Sequence, residues 1–325
     1  MPSTHAAHAA RHLLIPFAGP RGPACRAAIG GLRLPNLSAL LSRLSLVHED
    51  TGDERSRSMP HERALAAALN LPTGDGLIPW AARAAHQLGL PGATPGEGWG
   101  LLSLCHWQVG IDDVVLGDPA DIVIDDAESG ALRAAARPFF EEDGIDLQPG
   151  RHPGEWLAHG AVFAGLASAA VDRAIGFPVS EWSPLSDAAR PIRRLQNEMQ
   201  MLLYTHPVND ERTARGALPV NSFWLSGTGA LAAPPMSSDA APELDTRLRT
   251  AALHDDAAAW TAAWQTLDAD LLAPLLADAA AGAAVQLTLC GERSARRYAL
   301  QRLGLAERAR RLLSRPDVAT VLEAL

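Results

Sequence analysis

Residues 195–229 hold the densest polar set in the chain: His206, Asn209, Asp210, Arg212, Asn221 and Trp224, followed by Ser226, Gly227, Thr228 and Gly229. Arginine presents a planar fork of donors that suits phosphate or carboxylate. Glycines in a turn let backbone N–H groups approach an anion closely. His206, Asn209 and Arg212 are therefore candidates for an anion-binding corner, with Asn221 and the turn Ser226, Gly227, Thr228, Gly229 beside them. The same residues also have a purely structural reading. His206 and Asn209 would cap helix carbonyls, and Arg212 would pair with Asp210 or Glu211. Asn221 and Trp224 stand three apart on one expected strand, so they face opposite sides and only one can enter a given cleft.

Other groupings carry less chemistry. Cys105 and His106 are adjacent on an expected strand, so they point to opposite faces and cannot form one nucleophile–base pair. Asp112, Asp113 and Asp118 lack the spacing of a calcium loop and read as a solvated acidic turn. His5, His8 and His12 sit in a stretch expected to be a flexible N-terminus. Arg293, Arg296, Arg297, Arg302, Arg308, Arg310, Arg311 and Arg315 make the C-terminal segment basic. With Leu300, Leu303, Leu312 and Leu313 they read as an amphipathic helix packed on the core, or as a docking surface for an acidic protein partner.

These side chains need elements to hold them. Residues 12–17 read as a first buried strand, 34–44 as a helix with Leu37, Leu40, Leu41 and Leu44 on one face, and 48–58 as an exposed charged stretch. Helices are expected at 60–69 and 77–88, strands at 99–109 and 112–116, and a helix at 125–140. Strands at 144–147 and 155–159 follow. Met199, Leu202 and Leu203 mark a helix that Pro207 ends at His206. A polar loop, a buried strand at 218–225 and the glycine turn come next, and ligands of open α/β sheets bind at strand carboxyl ends. Helices over 257–280, a strand at 285–290 and a helical segment over 293–325, broken near Pro316, complete the chain.

The bulk properties exclude several classes. With 325 residues, 47% hydrophobic, the chain can bury one large domain or a core plus an insert. A net charge of −9 argues against nucleic-acid binding driven by overall charge. No lysine occurs, which removes Schiff-base catalysis and a Walker-type phosphate lysine. Cys25, Cys105 and Cys290 are an odd, scattered set that fits a reducing compartment. No apolar run is long enough to span a bilayer. The expectation is a soluble cytoplasmic protein with no membrane partner.

The stretch HPVNDERTARGALPVNSFWLSGTG resembles that of archaeal-type cofactor-independent phosphoglycerate mutases, in which His-Pro-x-Asn-x-x-Arg precedes Asn-x-x-Trp-x-x-Gly-x-Gly. LRLPNLSALLSRL is similar to the Thr-Pro-Asn-Leu-Asp-x-Leu-Ala signature near the start of alkaline phosphatase superfamily members, and residues 99–132 look like the mutase insert. The resemblance runs through residues 12–230 and is greatest to bacterial regulatory proteins of the RpfE type, which look like shortened mutases. It implies an α/β fold with an alkaline-phosphatase-like core sheet flanked by helices and an inserted αβ subdomain. The implied division is 1–11 as a flexible N-terminus, 12–95 and 187–325 as the core, and 96–186 as the insert.

Departures from the family pattern bear on function. The superfamily's first strand ends in Asp-Gly, and that Asp holds metal; here Ala18-Gly19 stands at that place. The late Asp-x-x-Gly-His motif is absent, and the strand at 285–290 runs into Gly291-Glu292-Arg293-Ser294. Two-metal phosphoryl transfer needs carboxylates and imidazoles that clamp two cations. The implied protein is a degenerate, regulatory member with no metal or cofactor and a phosphorylated small molecule as possible ligand. The alternative is an active mutase or phosphatase using manganese or zinc. Ser58 would then be the nucleophile, His61 or His206 the base or ligand, and Arg212 the phosphate clamp.

Overall fold

The computed structural model describes residues 11–235, 241–301 and 317–325. The fold is mixed α/β, and the chain divides into two compact units. Met1–Arg55, Pro60–Ala68 and Ser238–Leu325 form the first, and Ser56–Met59 with Leu69–Ser237 form the second. The second unit is longer than the expected insert: residues 69–95 and 187–237, assigned from the sequence to the core, belong to it.

The first unit is built on a five-stranded sheet in the order β2 (Ser45–Thr51), β11 (Ser294–Ala299), β10 (Val285–Cys290), β1 (Arg11–Ile15), β9 (Glu243–Leu244). β1 lies parallel to β10 and β9, while β11 runs antiparallel to β10 and β2. Leu13, Leu14 and Ile15 are all fully buried, as a strand covered on both faces requires. Leu14 packs with Cys290 and Ala295 against Ala64 and Leu65 of α3 (Pro60–Ala68). Among the described residues, the other α-helices of this unit are α1 (Pro23–Ala28), α2 (Pro35–Arg43), α10 (Arg249–Leu253), α11 (Ala257–Leu267), α12 (Ala273–Ala280) and α13 (Val318–Glu323). A π-helical turn, Asp268–Leu272, joins α11 to α12.

The second unit has an antiparallel sheet in the order β6 (Asp146–Pro149), β7 (Glu155–His159), β3 (Gly98–Cys105), β8 (Ser222–Ala230). Leu102, Leu104, Trp156, Ala158, Phe223 and Leu225 alternate onto one face and pack on α5 (Asp126–Glu141) and α8 (Arg190–Tyr204). Helix α4 (Trp80–Gln87) packs on β3 and β8. A hairpin, β4 (Trp107–Val109) with β5 (Val114–Leu116), the single-turn helices α6 (Val171–Ala174) and α7 (Val179–Trp182), and α9 (Pro207–Ala214) complete it. Asp125 N-caps α5 in a capping box with Glu128, as the acidic start of that helix foretells.

Four expectations are corrected. The charged stretch from residue 48 continues strand β2, whose Glu49 pairs with Arg296 at 2.7 Å while Asp50 pairs with Arg63 at 2.7 Å. An edge strand exposed along most of its length has no apolar alternation to betray it. Of the expected helical segment 293–325, residues 294–299 are instead strand β11, with Arg296 and Arg297 in the sheet, while 318–323 are helical as expected beyond Pro316, in the short α13. Arg302, Arg308, Arg310, Arg311 and Arg315 lie outside the described residues. The polar loop after Pro207 is helix α9, because Pro207 supplies a first-turn residue and His206 the cap. Finally, strand β8 begins at Ser222, four residues later than expected, and runs through the expected glycine turn; it belongs to the antiparallel sheet, so the carboxyl-end rule for open parallel sheets does not reach it.

On β1, the His12 imidazole Nε2 lies 2.8 Å from the Thr288 hydroxyl. Burial, and then the Arg297 charge, push its pKa down from 6.5 to about 4. The unfolded chain takes up this proton first, so the stabilisation is complete above pH 6.5 and is lost as pH falls towards about 4. Urea denaturation across that window should show a falling midpoint, and His12→Gln should flatten the fall.

Candidate functional site

The parallel strands β1 and β10 end side by side, and their carboxyl ends define the corner where an open α/β sheet would hold a ligand. Beyond β1 the chain turns through Phe17, a non-glycine residue at φ 56, and Ala18 donates its N–H to Cys290 O at 2.7 Å. Phe17 and Ala18 are buried, the Phe17 ring lies 5.4 Å from that of His61, and Trp260 Nε1 donates to Phe17 O at 3.1 Å. Beyond β10 comes Gly291, whose N–H donates to Ser294 O at 2.9 Å.

What fills this corner is the segment 317–325. A Cβ on Gly19 would meet Leu322 O at 2.8 Å and Leu325 Cβ at 3.0 Å. A Cβ on Gly291 would meet Leu325 Cβ at 2.5 Å and Leu325 C at 2.7 Å. Both positions therefore require glycine for the close approach of residues 322 and 325. Leu325 O accepts from the N–H groups of Arg293 at 3.1 Å and Ser294 at 2.7 Å. Leu322 and Leu325 are both buried. Donor atoms nearby are few: Glu292 lies 3.8 Å from Arg21, and Asp50 is taken by Arg63. Residues 18, 19 and 291 offer no side-chain ligand, so this corner does not fit a two-cation clamp.

The starts of α1 and α2 in the first unit are satisfied by side chains of that unit. The Asp255 carboxylate accepts from the N–H groups of Ala24 and Cys25, both at 2.9 Å, at the start of α1. A Cβ on Gly22 would strike that carboxylate at 2.2 Å. Burial, and then the neighbouring Asp255, push the Cys25 thiol up to about 12, so it is not a ready thiolate. At the start of α2, Asp268 accepts from Leu37 N at 2.8 Å and from Asn36 Nδ2 at 2.9 Å. Sequence reasoning missed Asp255 and Asp268, which lie more than 200 residues from their partners.

The polar set expected to bind an anion lies in the second unit and divides into separate networks. His206 Nδ1 accepts from Val208 N at 3.2 Å. Asn209 Nδ2 donates to Leu203 O at 2.8 Å and to Val220 O at 2.6 Å, and its Oδ1 accepts from Val220 N at 2.9 Å. Asn209 thus ties the end of α8 to the approach to β8, the capping role that was the structural alternative. Arg212 is 1% exposed; its Nε donates to Leu218 O at 2.8 Å, and its Nη1 to Val123 O at 3.0 Å and Glu128 at 2.7 Å. Its partner is Glu128, not Asp210 or Glu211, and Arg215 holds the other Glu128 oxygen. The Asp125–Glu128 spacing carried a signal for this network, since a capping-box glutamate is placed to take a second partner.

Asn221 uses its carboxamide as a strand neighbour: Oδ1 accepts from Trp107 N at 2.7 Å, and Nδ2 donates to Trp107 O at 2.9 Å. Trp224 is buried and donates to Ala169 O at 3.0 Å. The run from Ser226 to Gly229 is a bulge inside β8, where the register against β3 shifts. Gly227 (φ 60) and Gly229 (φ 138) lie against Trp80 and Pro79 at the start of α4. Thr228 is fully buried, and its hydroxyl donates to Leu166 O at 2.5 Å. Ser58 is buried as well: its N–H donates to Asp75 at 2.9 Å, and its Oγ accepts from Gly76 N at 2.8 Å. Ser58 and His61 fall in different units. A cleft of about 620 Å³ opens between Trp107, Asp112, Asp113, Arg193 and Gln196, and none of the expected site residues lines it.

No protein-family model and no curated protein matches the chain. Among solved structures it is similar to a cofactor-independent phosphoglycerate mutase from Thermoplasma acidophilum, at 13% identity over 90% of this chain and 91% of that one, with TM-score 0.38. It is also similar to a protein from Pyrococcus horikoshii, at 13% identity over 93% and 92%, with TM-score 0.40. Likeness at that level leaves function to be argued from the residues. Among the described residues no helix is long and apolar enough to cross a membrane.

Arg212→Ala would leave Glu128 with Arg215 alone, in a site where the Glu128 side chain is 11% exposed. The expected cost is about 3 kcal/mol in urea denaturation, from a broken buried ion pair and the Leu218 and Val123 carbonyls left without the Arg212 donor. Phosphate affinity should not change; a weaker phosphate complex with unaltered stability would restore Arg212 as a ligand contact.

Proposed function

We propose that this chain is a mutase-like protein without metal-dependent catalysis, acting as a regulatory component that senses a phosphorylated small molecule. The observation that carries the reading is the filled corner at the ends of β1 and β10. Glycine, alanine and leucine stand where a phosphoryl-transfer enzyme needs carboxylates and imidazoles. Without those ligands there is no charge to hold two cations against the attacking and leaving oxygens, which is the largest source of rate in such a reaction. The regulatory role follows from the resemblance to RpfE-type proteins, and the mutase resemblance names the substrate to test.

The buried state of Ser58 supports the same reading. A serine whose Oγ accepts from Gly76 N, behind a 3% exposed surface, lacks the access a nucleophile needs. The test is an assay of the purified full chain with manganese and 3-phosphoglycerate, repeated with zinc and with Ser58→Ala. The expected result is no turnover above buffer for either protein. Turnover by the native chain that Ser58→Ala abolishes, with folding intact, would establish the enzyme instead.

A further inference from the structure

The segment 317–325 is a short element that packs through Leu322 and Leu325 and lies against the turn at residues 29–31. Of its residues, Leu322 and Leu325 are buried, and Asp317, Thr320, Glu323 and Ala324 are exposed. Its backbone anchor is Leu325 O, gripped by two successive N–H groups, those of Arg293 and Ser294. Two adjacent backbone N–H groups converging on one oxygen form a nest, a concavity that takes anions. Beneath it lie Gly19 and Gly291, bare of side chains. A short helix with two apolar anchors is the kind of element that opens locally, at far lower cost than global unfolding.

We propose that residues 317–325 are a displaceable plug over a compact oxyanion site formed by the Arg293 and Ser294 N–H groups above the Gly19 and Gly291 floor. Leu325 O occupies the place of the ligand oxygen. An incoming phosphoryl or carboxylate group replaces that oxygen, and Leu322 and Leu325 leave with the segment. Ligand binding thereby becomes a movement of α13, which is the signal that a sensor needs to pass on. The inference deepens the proposed function by giving its ligand site a location and a switch.

The experiment is amide hydrogen exchange on the full chain, with inorganic phosphate and, separately, acetate. A ligand that binds only the open state raises the open population in proportion to its saturation. At tenfold the apparent dissociation constant about nine tenths of the molecules are open, so the amides of Val321 and Leu322 should lose nearly all the protection they have without ligand. Those of Leu287 and Leu289 in β10 should not change. The anion that acts more strongly identifies the ligand group. Exchange at Val321 and Leu322 that is unaltered or slowed by both anions overturns the proposal. Leu322→Ala supplies an independent arm: it should accelerate exchange of Val321 and tighten phosphate binding by the same factor, since opening is a cost on affinity. Faster exchange with unchanged affinity also overturns it. Turnover with manganese would refute the non-catalytic reading alone and leave these exchange results standing.

Discussion

The structure depends on one constraint: backbone donors left unpaired at the ends of strands and helices must find an acceptor. In phosphate-handling proteins the ligand often meets part of that need. Here the chain meets it with its own oxygens. Asp255 serves the start of α1, Asp268 the start of α2, and Leu325 O the turn after β10. In the second unit Asp75 serves the N–H groups of Arg57 and Ser58. Each bond stabilises the fold modestly, but leaving the buried donors bare would cost more than the bonds return.

The glycines follow from the same constraint. A loop rich in glycine beside a strand invites the reading of an anion cradle. Gly19, Gly22 and Gly291 show a different cause, because the atoms their missing Cβ would strike belong to the protein itself. Gly227 and Gly229 repeat the pattern against α4, with positive φ that other residues adopt only at a cost. Glycine marks close approach, and sequence alone does not say whether the approaching group is ligand or protein.

This sets how much could be read in advance. The buried strands at Leu13, Leu287 and Trp156, and the capped helix at Asp125, were legible because apolar runs and capping residues act locally. The strand from Ser45 was hidden by its exposed, charged edge, and β11 by arginines that suit a helix equally well. The candidate site was legible as a set of residue types but not as a site. His206, Asn209, Arg212 and Asn221 were singled out as polar residues close in sequence, and their partners proved to be carbonyls, amides and Glu128. Arg212 finds Glu128 across 84 residues, a distance over which no local pattern speaks. That Ala18 and Gly291 carry no donor side chain was visible at once, since it needs no geometry to be noticed.

If the segment 317–325 closes the corner beyond β1 and β10, paired divalent cations find no seat there. Electron paramagnetic resonance of manganese titrated into the full chain measures this most directly, because tightly bound ions leave the free-ion signal. The free signal should then rise from the first addition as it does in buffer. Loss of the signal through two equivalents of manganese, with a spin-coupled spectrum in its place, would contradict it.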